Sequence, residues 1–144
     1  MAETLGTLCD KLTIIKLKQY HCDNEDKSTS LNLQEKSLIN EMDEFINKAI
    51  NNQISPDLLK FASNKIYNQE KNITRVIKGN IGELMSELSE INCKIWHEQE
   101  KVYNFESVPH EEKNGVIKLL AIFNLERNMC IEQIDKIFYD LLVS

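Results

Sequence analysis

Two of the three histidines in this 144-residue chain stand in the same local setting, Lys18-x-Tyr20-His21 and Lys94-x-Trp96-His97. A lysine and a protonated imidazole three residues apart share one helix face, where together they can grip an anion. The aromatic ring beside each histidine can stack on a sugar or a base. Further along, Asn32 and Asp43 are matched by Asn124 and Asp135, with Arg127 three residues past the second asparagine. An amide can orient a bound anion, and an acid can orient an imidazole that moves protons. The candidate ligand-binding residues are therefore Lys18, His21, Asn32, Asp43, Lys94, Trp96, His97, Asn124, Arg127 and Asp135.

The same side chains have a plainer use, as a satisfied hydrogen-bond network. Each histidine would donate to a carbonyl or to asparagine, and each aspartate would pair with a lysine, fixing helix register. A His–Asp dyad within one hairpin is disfavoured: pairing residue 21 with residue 32 leaves Asp43 three turns away. That pairing brings Lys18 towards Glu35, Asp10 or Lys11 towards Asp43, and Lys94 towards Arg127, with these stripes at least half buried beside the apolar seam. Metal binding is not expected. His21 with Glu25 and His97 with Glu100 differ in spacing, and neither histidine carries the Glu-x-x-His step of di-iron bundles. No Gly-rich phosphate loop, nucleophile elbow or zinc signature is present, so no cofactor is expected and no catalytic residue is assigned.

The matched residues belong to a longer correspondence. A shift of 76 residues aligns Gly6/Gly82, Leu8/Leu84, Leu12/Leu88, Ile15/Ile91, Lys18/Lys94 and His21/His97, with Thr13/Ser89 and Tyr20/Trp96 similar. A shift of 92 aligns Asn32/Asn124, Leu33/Leu125, Ile39/Ile131 and Asp43/Asp135. Leucine matches are cheap between amphipathic helices, whereas matches of rare polar residues are not. We read an internal duplication, with repeat 1 at about 4–52 and repeat 2 at about 80–142. The 16 extra residues fall between His97 and Asn124. Shared between two arms, they would lengthen the second hairpin by about 12 Å at 1.5 Å per residue.

These residues need helices to position them. Leu5, Leu8, Leu12 and Ile15 recur at three- and four-residue steps, predicting a helix over 4–25. Asp26 to Ser30 reads as a polar turn, with Ser28 or Ser30 capping a second helix over 31–52. Ser55-Pro56-Asp57 has the form of a helix start and predicts a linking helix over 55–78, stopped by Gly79-Asn80. Leu84, Leu88, Ile91 and Ile95 predict a fourth helix over 81–102. Pro109 and Asn114-Gly115 make 106–115 a loop with room for one helical turn, before a last helix over 116–142. The fold class is all-α: one antiparallel bundle of about five helices, built as two pseudo-symmetric hairpins joined by the linking helix.

Composition agrees. Four glycines and two prolines are too few for an all-β fold, and the 42% hydrophobic content suits one packed domain. A net charge of −6 without a basic run argues against nucleic acid and against anionic lipid. Cys9, Cys22, Cys93 and Cys130 show no metal spacing and read as reduced thiols. With neither a signal pattern nor a long apolar run, no membrane span is expected and the location is read as cytoplasmic.

The stretch Gly6-Thr7-Leu8-Cys9-Asp10-Lys11-Leu12-Thr13-Ile14, with Lys18-x-Tyr20-His21, Lys94-Ile95-Trp96-His97, Asn124-Leu125-Glu126-Arg127 and Asp135, resembles an uncharacterised bacterial all-helical family, a domain of unknown function. Some members of that family lie beside genes for envelope-sugar glycosyltransferases. The chain departs from its own repeat where Met85-Ser86-Glu87 stands for Cys9-Asp10-Lys11, and where Glu35 stands for Arg127. The resemblance implies a helical fold and a lineage, and it implies no chemistry. The expectation is a non-enzymatic binding or interaction protein, with a protein partner or a homodimer. The alternative is a site for a small anionic sugar or nucleotide on the repeated polar residues, linked to envelope polysaccharide synthesis.

Overall fold

The computed structural model describes residues 2–61 and 75–143, and every regular element among them is helical. Four α-helices are present: α1 (Leu5–His21), α2 (Glu25–Ile50), α3 (Ile81–Tyr103) and α4 (His110–Val143). Single 3-10 turns lie at Pro56–Leu58 and Phe105–Ser107. The expected linking helix over 55–78 is not seen at either end. After the turn at Pro56–Leu58 the chain is non-helical to residue 61 and again over 75–80, while 62–74 lie outside the described residues. The bundle as described therefore has four long helices where the sequence suggested five.

Each helix start has a local cause. Thr4 and Thr7 close a reciprocal cap on α1: the Thr7 hydroxyl oxygen accepts from the Thr4 amide at 2.8 Å, and the Thr4 oxygen accepts from the Thr7 amide at 3.3 Å. Asn24 caps α2, its Oδ1 accepting from the Lys27 amide at 3.0 Å, and Glu25 and Asp26 favour the positive helix end. Residues 26–30, expected as a turn, are therefore the first turns of α2. Glu83 Oε1 accepts from the Asn80 amide at 3.2 Å at the start of α3. Gly79 just before it adopts φ 147, a left-handed geometry that glycine takes without strain.

α4 begins directly after Pro109 and runs unbroken through Asn114 and Gly115. The expected loop over 106–115 is thus mostly helix. Proline acted as an entry signal rather than a break, and Val116, one residue past the glycine, is buried.

α1 and α2 form one hairpin and α3 and α4 another, with α1 lying against both members of the second. Leu8, Leu84, Leu88, Ile91, Cys130 and Ile134 are almost fully enclosed at the centre. Leu59 and Ile77, at the two ends of the linking segment, join the same core with Ala49 and Phe138. α2 contributes least. Of its 26 residues only Ala49 is buried, while Met42, Phe45 and Ile46 pack partly against the core.

Candidate functional site

Gly6, Asp10 and Thr13 are spaced four and three apart, so they form one narrow stripe on α1, and all three are buried. Opposite them α4 presents Arg127, Ile131 and Asp135, and α3 presents Asn92. At the near end Asp135 Oδ1 accepts the Gly6 amide at 2.7 Å. The helices approach closely here: a Cβ on Gly6 would lie 2.5 Å from the Ile131 carbonyl oxygen. At the far end Arg127 donates through Nε to Asp10 Oδ1 at 2.8 Å and through Nη2 to Oδ2 at 2.5 Å. Asn92 Nδ2 donates to the same Oδ1 at 3.0 Å and to the Thr13 hydroxyl at 2.7 Å. Thr13 in turn donates to the Asp10 carbonyl at 2.7 Å.

This polar layer uses its donors and acceptors on itself, so its chemistry is to clamp α1 onto the second hairpin. A bidentate Arg–carboxylate pair fixes register as well as contributing energy. Asp135 is held less comfortably than Asp10. Burial pushes its carboxyl up to about 6, against the opposing pull of the Gly6 amide and the Thr4 hydroxyl. Beside it, burial raises the Cys9 thiol to about 11, helped by the charges of Asp135 and Asp10. Cys130 is likewise raised to about 11 by burial. All four cysteines are free thiols.

Another buried acid, Glu126, accepts from Arg75 Nε at 3.2 Å, and Arg75 also pairs with Glu87. Asp10, Thr13, Asn92 and Glu126 were not singled out from the sequence, because none of them repeats as an identity. The available signal was positional: Asp10 falls between Gly6 and Thr13 on a stripe that adjoins the leucine face of α1.

Of the ten candidate residues, Arg127 and Asp135 enter this interior layer. The others lie nearer the surface. His21 is exposed but stacks on Trp96, ring centroids 4.7 Å apart and 20° from parallel, while its Nδ1 donates to the Leu17 carbonyl at 2.9 Å. Trp96 Nε1 donates to Glu100 Oε1 at 2.8 Å. This stack is the only ring or polar contact between two of the ten among the described residues. Tyr20 is 85% exposed and meets only the edge of its own neighbour His21. Lys94 is exposed, pairs with Glu90 at 3.4 Å and lies over the Phe123 ring. His97 and Asp43 are exposed. Asn124 donates to the Leu120 carbonyl of its own helix at 2.9 Å.

The pairing of the first hairpin falls two residues from expectation. Gln19 Nε2 donates to Asn32 Oδ1 at 3.1 Å, and Lys16, rather than Lys18, pairs with Glu35 at 2.8 Å. That lysine holds the Glu35 carboxyl below its ordinary value. Arg127 meets Asp10 rather than Lys94. Matched residues thus sit in unlike surroundings. Asp135 is buried on Gly6, while Asp43 is exposed, and Gly82 would carry a Cβ with nothing within 4 Å.

Lys18 instead borders a groove between α1 and α2 of about 350 Å³, floored by Ile14, Ile15 and Leu38 and edged by Lys11, Gln34 and Ser37. Among the described residues, no three His, Cys, Asp or Glu side chains come together as metal ligands, and no helix is long and apolar enough to cross a membrane. No protein-family model, curated protein or solved structure matches the chain.

Proposed function

We propose that this chain is a non-enzymatic binding protein whose partner docks on the outward face of α2. The observation that carries the reading is the solvation of that helix. Leu33 is 64% exposed, Ile39 41% and Ile50 56%, on a 26-residue helix with one buried side chain. Single exposed apolar residues are ordinary, but Ile39 and Ile50 stand eleven residues apart, about three helical turns, and so line up on one helix face to either side of half-buried Ile46. Such a line is the form in which amphipathic helices meet a partner. The interior polar residues support the same reading from the other side, since their hydrogen bonds are spent within the bundle. A photo-crosslinking residue in place of Ile39, in cells that make the protein, is expected to form adducts with protein, while the same residue in place of exposed Glu111 forms none. Absence of adducts from position 39 would refute the proposal.

The groove beside Lys18 favours a second reading, a small anionic ligand held by Lys18 over an apolar floor. Lys18 makes no ion pair among the described residues, so its charge is free to take one. A charged sugar would suit both the groove and the gene neighbours of the family that the motifs resemble. A nucleoside diphosphate-sugar is then expected to raise the melting temperature of the wild type and not of Lys18→Glu. Equal behaviour of the two proteins would dismiss this reading.

A further inference from the structure

The geometry points to a second copy of this chain as the occupant of the α2 face, an inference that rests on the binding reading above. The template is the contact already present between α1 and α4. There a glycine lets two helices close in, and Asp135 accepts the first-turn amide of Gly6 with Ile131 packed beside it. Both halves of a second clasp of the same kind exist in the chain and are unmated. On α3, Gly82, Ser86 and Ser89 repeat the four-and-three spacing of Gly6, Asp10 and Thr13, and all three are exposed. On α2, Ile39 and Asp43 repeat Ile131 and Asp135 but are exposed, and Asp43 has no polar partner among the described residues.

Within one chain these halves are kept apart. Lys16–Glu35 and Gln19–Asn32 tie α2 to α1, and α1 is clamped to the second hairpin by Asp10 and Asp135. Leu59 and Ile77, from the two ends of the linking segment, take core positions beside Ala49 and Phe138. Between two copies the obstacle disappears. Each copy carries one donor face, on α3, and one acceptor face, on α2. A twofold axis therefore satisfies both at once, α2 of each copy lying on α3 of the other, as an isologous interface requires. The small side chains of α3 permit the close approach, Asp43 accepts the Gly82 amide, and Ile39 is removed from water. The repeat's departure is also consistent: Glu35, the counterpart of Arg127, comes opposite Ser86, the counterpart of Asp10, and a hydroxyl can donate to a carboxylate.

Sedimentation of the full chain tests this. The wild type is expected to dimerise. Gly82→Leu, whose Cβ has no atom within 4 Å in the isolated chain, and Asp43→Ala should each weaken association by at least about tenfold, the equivalent of 1.4 kcal/mol. At low concentration their circular dichroism should match wild type, with melting unchanged for Asp43→Ala and no lower for Gly82→Leu. Mixing Asp43→Cys chains with Gly82→Cys chains should give a disulfide between copies. A wild type that stays monomeric, a Gly82→Leu variant that dimerises normally, or mixed chains that form no 43–82 disulfide would each overturn the inference. Adducts from position 39 to a different protein, with a monomeric chain, would keep the binding reading and overturn this one. Absence of both would end both.

Discussion

Alanine at position 6 and alanine at position 82 are the same change at corresponding points of α1 and α3, yet the structure gives them opposite signs. At Gly6 the new methyl carbon would lie 2.5 Å from the Ile131 carbonyl oxygen and 2.8 Å from Asp135 Oδ1. The nearer neighbour is a backbone atom that no rotamer change can move, so α1 must back away from α4. Overpacking of this kind costs about 1–3 kcal/mol. Lengthening the hydrogen bond from the residue 6 amide to the buried Asp135 carboxylate adds about 1.5–3 kcal/mol, and the helix preference of alanine returns roughly 0.5–1 kcal/mol. The net is a loss of about 2–5 kcal/mol, which for a domain of this size lowers the melting temperature by roughly 5–15 °C. At Gly82 no atom lies within 4 Å, so only the propensity gain of about 0.5–1 kcal/mol remains. Urea unfolding followed by circular dichroism, at concentrations low enough to keep the chain monomeric, measures both. If Gly6→Ala unfolds like the wild type, or if Gly82→Ala loses as much as Gly6→Ala, the close contact of α1 with α4 is wrong.

Three further outcomes follow from the interior. Burial raises the Asp135 carboxyl from the ordinary aspartate value of 3.8 to about 6, so the stability tied to its proton is complete below about 3.8 and drains away as the pH rises through about 6. Asp135→Asn keeps an acceptor for the Gly6 amide and should flatten that decline, making the variant the more stable protein at pH 8 by about 2–3 kcal/mol; unchanged pH profiles would contradict the assignment. Arg127→Ala leaves Asp10 buried without its cation and should cost about 3–5 kcal/mol, whereas Lys16→Ala breaks an exposed pair and should cost less than about 1 kcal/mol. Equal losses in a denaturant titration would deny the clamp its role. Cys9 and Cys130 should resist a thiol reagent in the folded protein while the less buried Cys22 and Cys93 react, and all four should react in denaturant. Prompt reaction of four thiols without denaturant would be inconsistent with the buried positions of Cys9 and Cys130.

Helix content was legible because it rests on periodicity. Leu5, Leu8 and Ile15, and Leu84, Leu88 and Ile91, are buried as their spacing suggests. Boundaries were harder where one residue type serves two purposes. Asp26 to Ser30 has turn composition, but Asn24 caps the helix upstream and Glu25 and Asp26 suit its positive end, so the polar run became helix. Pro109 marks an end or a beginning with equal force, and burial of Val116 against the rest of the bundle chose the beginning. In the candidate site, repetition found Asp135 and, through its asparagine neighbour, Arg127. It could not reach Asp10 or Asn92, whose counterparts Ser86 and Lys16 differ in chemistry. Nor could it give burial: Lys18, His21, Lys94 and His97 flank the apolar stripes, and a flank turns to water wherever no third helix covers it. The single contact between the two aromatic–histidine motifs, His21 on Trp96, depends on how α1 crosses α3, which no local pattern encodes.

The most direct test of the binding surface is hydroxyl-radical footprinting of Ile39 and Ile50, comparing the dilute purified chain with the protein inside the cells that make it. Both side chains are open in the isolated fold. They should oxidise readily in the dilute chain and be strongly protected in the cell, while exposed Tyr103, on α3 at the far end of the other hairpin, oxidises alike in both. Equal oxidation of Ile39 and Ile50 in the two settings would mean that nothing covers α2, contrary to the function proposed for it.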